Sequence, residues 1–383
     1  MDQATQTAWL SRTLKHIEGG TTDQGEVVTR IAVQRYIDPD FLVRERDTVF
    51  RNHPIALSFS SKLAKPGDFV THDHLGLPLL LLRGRDGQVH AYLNVCRHRG
   101  ARLVTAREGC GRHRFTCPYH AWTYDDAGAL LSLPHEAGFG ELDKGQHGLV
   151  RLPVAEAFGV VFVLPRQDGD LDLDKALGPL KHDMESFGLS DHVVYDEREI
   201  GLRCNWKVVI EGGLETYHVR HAHGRTIAPM FLDNVSVMER FDPHARLYFT
   251  KREAAKLKTQ ALDGLRVRDF GNPLYFFFPN LIVLVQPDHA TVMITFPQGT
   301  DACMIQGAAL IPEPALTEKA RAHWDKNVKI FWDALDEDFQ MGQSIQAGFR
   351  SGANSHITFG RFEHPCGWFH AALDKAMTAG AMA

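Results

Sequence analysis

The sequence lacks the features of membrane proteins and of nucleic-acid-binding proteins. It has no run of about 18 uninterrupted apolar residues, so no transmembrane helix is expected. Its longest apolar stretch, 273–285, is interrupted by Pro279-Asn280 and is typical of two buried strands. There is no basic run, and 42 Lys and Arg against 47 Asp and Glu give a net charge of −5. The sequence therefore predicts neither membrane insertion nor electrostatic binding of nucleic acid.

Cysteine is also scarce, with six residues at scattered spacings. The N-terminus has no basic region followed by an apolar block, which is the pattern of an export signal. We therefore expect reduced thiols and a cytoplasmic location. Repeats and low-complexity linkers are absent too, and 383 residues are enough for two domains, each with its own core.

Two short motifs combine cysteine with histidine: Cys96-Arg97-His98 and Cys117-Pro118-Tyr119-His120. Such a set can bind one structural zinc, or a [2Fe–2S] cluster in which two histidines ligate one iron. Zinc sites usually pair like ligands, whereas each motif here can give one ligand to each iron. Apolar segments at 78–82 and 89–95 flank a hairpin turn signal at 84–87, and the second runs straight into the first motif. Motifs that combine cysteine with histidine at the tips of hairpins favour the [2Fe–2S] cluster over a structural zinc.

The pattern Cys-x-His…Cys-x-x-His, followed by Trp122, resembles the Rieske family of iron–sulfur domains. The resemblance implies a Rieske [2Fe–2S] cluster held by Cys96, His98, Cys117 and His120. Rieske domains of respiratory complexes carry an extra cysteine where this chain has Ala101. That difference points to the oxygenase branch of the family.

A second concentration of metal-binding side chains lies at 204–223. It contains His218, His221, His223, Glu211 and Glu215. One explanation is a polar helix face with incidental histidines, since the chain has 21 of them. On an ideal helix His218 and His223 lie about 140° apart. They can bind one metal only if the helix widens or ends between them.

A Rieske motif followed about 100 residues later by Asn-Trp-Lys…Glu…Tyr-His-x4-His resembles the catalytic subunit of Rieske non-heme iron oxygenases. In that family the two histidines of His-x4-His bind one mononuclear Fe(II), which implies His218 and His223 as ligands. His221 is left as a residue of the pocket or as one that contacts a ligand. A carboxylate completes the ligand set and leaves positions open for O2.

The carboxylate is expected on a long helical pattern at 317–348. Its apolar stripe contains Trp324, Val328, Phe331, Leu335 and Ile345. Asp338 falls within the stripe, whereas Asp336 and Glu337 fall outside it. A carboxylate on a buried face needs a metal or a positive partner, so a salt bridge is the alternative. The family places its ligand in a Glu-Asp pair shortly before a glutamine, here Gln346, which implies Asp338 as the ligand and leaves Asp336 in reserve.

Glu215 departs from the commonest family pattern. Many members have aspartate there, bridging a Rieske histidine to an iron-ligand histidine across a subunit boundary. Glutamate occurs in the branch that acts on quaternary amines, and Gly212 stands where asparagine is frequent. Glu215 lies three residues before His218 and shares its helix face, so its carboxylate can reach that histidine. The resemblance implies for Glu215 a catalytic role between subunits, not iron ligation. The alternative is a plain surface glutamate.

The pattern as a whole predicts an α+β fold. Residues 48–165 are expected to form an all-β Rieske domain. Residues 166–383 are expected to form a helix-grip-like α+β catalytic domain with a central antiparallel sheet, against which a helical segment, 1–47, packs.

The resemblance implies the terminal oxygenase of a multicomponent system. Electrons come from a separate reductase, directly or through a ferredoxin, since nothing in the chain resembles a flavin or nicotinamide site. The enzyme uses O2 to hydroxylate, dihydroxylate or oxidatively demethylate a small organic substrate, either an aromatic compound or a quaternary amine. Head-to-tail packing into a closed ring, commonly a homotrimer, is expected. The alternative is a Rieske-type electron-transfer protein without oxygenase activity.

Overall fold

The computed structural model describes residues 1–380, and the chain forms two compact units. One unit is 50–176, and the other combines 1–49 with 177–380. The N-terminal elements are α1 (Gln3–Gly19), β1 (Thr29–Ala32), α2 (Gln34–Ile37), α3 (Pro39–Arg44) and a π-helix (Glu45–Phe50). Asp2 caps α1 by accepting a hydrogen bond from the Thr5 N–H at 2.7 Å.

The regular secondary structure of the unit 50–176 is mainly β-strand. Its strands are β2 (Ile55–Phe59), β3 (Phe69–His72), β4 (Leu79–Arg83), β5 (Val89–Leu93), β6 (Glu108–Gly109), β7 (Arg114–Thr116), β8 (Thr123–Asp125), β9 (Leu130–Ser132), β10 (Arg151–Leu152), β11 (Val154–Ala157) and β12 (Val160–Val163). They form three sheets, in the orders β10-β5-β4-β3-β6, β11-β12-β2 and β7-β8-β9. Short 3-10 helices lie at Ser60–Leu63, Glu136–Phe139 and Lys144–His147.

The hairpin predicted around residues 84–87 is confirmed. Strands β4 and β5 pair antiparallel, and Arg83 lies opposite Val89. Gly87 has a φ of 76°, a conformation that favours glycine. The Asp86 carboxylate accepts a hydrogen bond from the Gln88 N–H at 3.0 Å and so fixes the turn. The hairpin directs β5 toward Cys96.

Residues 173–380 contain seven α-helices and one large sheet. The helices are α4 (Leu173–Leu177), α5 (Pro179–Ser186), α6 (Trp206–Gly213), α7 (Val219–Ala222), α8 (Val267–Phe270), α9 (Glu318–Ser351) and α10 (His364–Gly380), with 3-10 helices at Leu189–Asp191, Ala228–Met230, Arg252–Thr259 and Arg361–Glu363. The strands are β13 (Val193–Leu202), β14 (Phe231–Phe241), β15 (His244–Lys251), β16 (Gly271–Phe277), β17 (Leu281–Val285), β18 (Ala290–Gly299), β19 (Ala302–Ile311) and β20 (His356–Phe359). Seven strands form one antiparallel sheet in the order β13-β19-β18-β17-β16-β15-β14, and β20 pairs with β1.

Residues 206–222 have a helical pattern in the sequence but form two helices and not one, because α6 ends at Gly213 and α7 begins at Val219. Glycine disfavours a helix, and Gly212-Gly213 stand at the break. The Glu215 carboxylate accepts hydrogen bonds from the N–H groups of Tyr217 and His218, as a cap does. These contacts start a new helix of one turn.

The long helical pattern at 317–348 corresponds to α9. Thr317 caps the helix by accepting from the Ala320 N–H at 3.1 Å. Trp324 and Val328 are buried against the sheet, as the apolar stripe predicts, but Ile345 is 45% exposed. No helix within residues 1–380 is long and apolar enough to cross a membrane.

Candidate active site

The two Cys/His motifs occupy two loops, each closed by backbone hydrogen bonds. In the first, the Cys96 N–H donates to the Ala101 carbonyl at 2.8 Å. In the second, the Cys117 N–H donates to the Trp122 carbonyl at 2.8 Å. The second loop connects β7 to β8, and Ala121 takes a positive φ of 56° to close it. Both motifs therefore stand at the ends of short antiparallel strands.

The structure brings the four predicted cluster ligands together. Cys96 and Cys117 are buried in one core, and the rings of His98 and His120 lie 4.7 Å apart. The His98 ring stacks on Trp122 at 5.0 Å, and its buried Nδ1 has no hydrogen-bond partner in the described chain. Two thiols, two imidazoles and an orphaned ring nitrogen fit a cluster with mixed ligation.

Tyr124 contacts Cys96, one of the two cysteines of this set. Its hydroxyl lies 3.4 Å from Cys96 Sγ and accepts a hydrogen bond from the Arg97 N–H at 3.0 Å. Burial raises the pKa of the Cys96 thiol, and the Tyr124 hydroxyl opposes that rise. The Tyr124 hydroxyl thus offsets part of the cost of forming the thiolate that an iron needs.

The second site lies around α7, whose single turn separates His218 from His223. His218 precedes the helix and His223 follows it, with φ and ψ of −102° and 26°. The helix thus ends between the two rings, which is one of the conditions under which they can share a metal. Their centroids lie 5.1 Å apart.

Asp338 on α9 completes a three-residue group. Its Oδ1 lies 3.1 Å from His223 Nε2 and 3.6 Å from His218 Nε2. One ligand atom from each residue lies within 4.8 Å of the others, close enough for a single metal ion. Two imidazoles and one carboxylate on one side of a metal fit non-heme Fe(II).

A further carboxylate holds each histidine from behind. His218 Nδ1–H donates to Glu215, which is buried, and His223 Nδ1–H donates to Glu337 Oε2 at 2.9 Å. Thr226 Oγ1 also donates to Glu337, at 2.6 Å. These bonds fix both rings so that Nε2 faces Asp338.

The pKa shifts follow from this arrangement. Burial lowers the pKa of His218, but the hydrogen bond and charge of Glu215 outweigh it and raise the pKa. Burial likewise lowers the pKa of His223, and its bonds to Asp338 and Glu337 produce a net rise. Without a metal, both imidazoles therefore keep their protons up to a higher pH than an ordinary histidine does.

The catalytic region and the cluster region each match a protein family. The ring-hydroxylating alpha subunit (catalytic domain) model matches residues 187–379, and the Rieske [2Fe-2S] domain model matches residues 53–152. The chain belongs to the ring-hydroxylating alpha subunit family. It carries a Rieske [2Fe–2S] cluster and a mononuclear iron, and it is an oxygenase, so the electron-transfer alternative is set aside.

Relatives extend over most of this ring-hydroxylating alpha subunit. The glycine betaine monooxygenase oxygenase subunit of Chromohalobacter salexigens is 27% identical over 354 residues, covering 82% of this chain and 78% of that protein. The carnitine monooxygenase oxygenase subunit of Escherichia coli K12 is 27% identical over 329 residues, covering 84% of each. The quaternary ammonium Rieske monooxygenase CntA with L-carnitine has a TM-score of 0.78 at 21% identity over 97% of both chains, which shows the fold. The predicted fold class and oxygenase activity are confirmed.

The site of this family member differs in detail from the prediction. His218, His223 and Asp338 are called the metal group below. His221 is exposed and does not line the pocket beside this group, and Asp336 is exposed too. Sequence reasoning missed Glu337 as the partner of His223, because its helical angle placed it outside the apolar stripe. The usable signal was chemical, since a ligating histidine generally needs an acceptor for its other nitrogen.

A pocket of about 440 Å³ opens beside the metal group. Its wall is largely apolar near the ligands and includes Val219, Ile282, Met293, Phe331 and Leu335. Gly213 also lines it, and a Cβ there would meet Ile282 Cδ1 at 2.5 Å. The volume is typical of a site for a small organic molecule.

Proposed function

We propose that this chain is the terminal oxygenase of a multicomponent system. A separate reductase, acting directly or through a ferredoxin, supplies the electrons, and O2 and a small organic molecule are the substrates. The observation that carries this proposal is the group His218, His223 and Asp338 at the wall of a largely apolar pocket.

The ligand assignment is part of the proposal. Cys96, His98, Cys117 and His120 hold the cluster. His218, His223 and Asp338 hold the iron. When bound, the cluster carries single electrons and the iron supplies O2 chemistry. The chain itself orients the histidines through Glu215 and Glu337 and keeps water away with the apolar wall.

Glu215 is proposed to connect the two kinds of site in an assembled enzyme. It is 8% exposed and bonds to the Nδ1 side of His218, so it is not placed as a metal ligand. A neighbouring subunit in a closed homotrimer brings its own Rieske histidine toward this carboxylate. Glu215→Gln should keep both metals and the oligomer but sharply slow oxidation of the reduced cluster with substrate and O2. Normal single-turnover oxidation with both sites full removes Glu215 from the mechanism.

The proposed substrate is a quaternary amine or an aromatic compound, which the enzyme hydroxylates, dihydroxylates or oxidatively demethylates. The named relatives and the glutamate at position 215 support a quaternary amine as substrate. The family description, ring hydroxylating, supports an aromatic compound. None of the six cysteines forms a disulfide in the described part of the chain, which supports a cytoplasmic location. We also propose the domain division 1–47, 48–165 and 166–383.

The test is O2 uptake by purified protein with a surrogate reductase, over quaternary amines, aromatic acids, phenolic ethers and steroids. At least one class should drive uptake, and His223→Ala should abolish it together with mononuclear iron. His221→Ala is the matched control and should retain both. Loss of iron from the His221 variant and not from the His223 variant contradicts the ligand assignment.

A further inference from the structure

The pocket beside the metal group is polar at the end farthest from it. The strand register orders its wall into levels, because residues paired across antiparallel strands lie side by side. Ile282 pairs with Met293, and this level adjoins Gly213 at the end of α6. Leu284 pairs with Thr291 one level further along. The wall near the metal ligands is therefore mainly hydrocarbon.

The distant levels carry polar groups. Phe249 pairs with Asn272, and Lys251 pairs with Phe231 beyond them; all four line the pocket. Gln286 follows Leu284 by two residues on the same face. The buried Oδ1 of Asn272 and Oε1 of Gln286 have no hydrogen-bond partner among the described residues. Each amide can turn either its oxygen or its NH2 group toward a ligand.

Lys251 is the cation of this end, and it lacks a counter-ion. Among residues 1–380 it has no hydrogen bond or ion pair through its ammonium group. The acidic groups that act on its charge are Glu253, Asp269 and Asp288. Asp269 pairs with Arg266, and Asp288, which also lines the pocket, bonds to His289 and His323. Burial lowers the pKa of Lys251, and these carboxylates oppose that effect without outweighing it. A half-buried ammonium without an ion-pair partner favours an anionic ligand.

The separation between the two ends sets the length of the ligand. Phe276 pairs with Ile282 on one side and with Ala245 on the other. Ala245 therefore lies on β15 at the same level as Ile282, and this level, next to the metal group, is called the metal level. Lys251 stands six residues further along that strand, or about 20 Å at the rise of a β-strand. Even if its flexible stem reaches back, the ammonium stays roughly 10 Å or more from the metal level.

We propose that the substrate is an elongated, mainly apolar acid whose carboxylate pairs with Lys251 while its other end lies at the metal group. This rests on the proposed function, since it selects among the substrates considered there. A short betaine, with one to three carbons between ammonium and carboxylate, spans less than about 6 Å. It cannot reach both ends, whereas an acid with a longer body can.

The test uses ω-phenylalkanoates from phenylacetate to 8-phenyloctanoate and their primary amides, titrated calorimetrically into the holoenzyme. The longer acids should bind about tenfold or more tightly than their amides, because a charge-assisted hydrogen bond is lost with the charge. Lys251→Met should abolish that preference, and Lys251→Arg should retain it. Lys256→Met, at an exposed lysine nearby, is the matched control and should change nothing.

The proposal is overturned if no acid in the series binds more tightly than its amide, or if Lys251→Met preserves the preference. An equal preference at every chain length overturns the argument from distance. The measurement needs no turnover, so absent O2 uptake with an intact preference counts against the proposed function alone. O2 uptake without a preference for the acids over their amides counts against the role of Lys251 alone.

Discussion

Glu337 offers the sharpest test of how the chain holds its iron ligands. Its carboxylate accepts hydrogen bonds from His223 Nδ1 at 2.9 Å and Thr226 Oγ1 at 2.6 Å. Burial raises the pKa of Glu337, but these two bonds outweigh it and lower the pKa, so the group stays ionised. Glu337→Ala removes the acceptor that turns His223 Nε2 toward Asp338.

The expected loss follows from the burial of His223. Removing such a partner typically costs about 10- to 100-fold in metal affinity, which equals about 1.4–2.8 kcal/mol. The His223 side chain is only 2% exposed, so water cannot easily replace the lost acceptor. We therefore expect a loss toward the upper end of that range.

The assay is competition for Fe(II) against a chromogenic chelator, with the cluster's visible absorbance as an internal measure of intact protein. Asp336→Ala is the control, because it removes an equal charge from the neighbouring, exposed position of α9. The control should bind Fe(II) as the parent does. If Glu337→Ala stays within twofold of Asp336→Ala, the carboxylate does not orient His223.

Two further predictions concern protons and a buried ion pair. Because protons compete with metal and the pKa values of His218 and His223 are raised, Fe(II) affinity should increase with pH above about 6.5. If chelator competition shows that Fe(II) affinity does not change with pH above about 6.5, this prediction is wrong. Lys207 Nζ lies 2.7 Å from Glu45 Oε1 and both side chains are fully buried, so Lys207→Met should lower the free energy of unfolding by about 3–5 kcal/mol. Urea titration measures it, and a loss below about 1 kcal/mol argues against the pair.

The parts of the fold that follow from local chemistry could be predicted from the sequence. The turn at 84–87 depends on a glycine with positive φ and an aspartate that bonds its own backbone, and both signals are visible in the residues. Asp338, the proposed iron ligand, could be chosen by helical periodicity and family resemblance together. The turn and the helix face needed only neighbours along the chain.

Most errors arise where distant parts of the chain decide, but one is local. Residues 206–222 have a helical pattern, yet the Glu215 carboxylate accepts hydrogen bonds from the N–H groups of Tyr217 and His218 and starts a separate helix. Periodicity gives the face of α9 but not how far the sheet beneath it extends, so Ile345 is exposed. Glu337 and His223 are 114 residues apart, and no sequence spacing links them.

Iron content per chain, measured together with visible and EPR spectra, tests the central claim most directly. The parent protein should contain about three irons, two in a red-brown cluster with a Rieske-type EPR signal after reduction and one mononuclear. Asp338→Ala should retain about two and the full cluster spectrum, and Cys117→Ser should lose the colour and the signal. A colourless parent protein with one zinc per chain, or an Asp338 variant that keeps all three irons, would contradict the account.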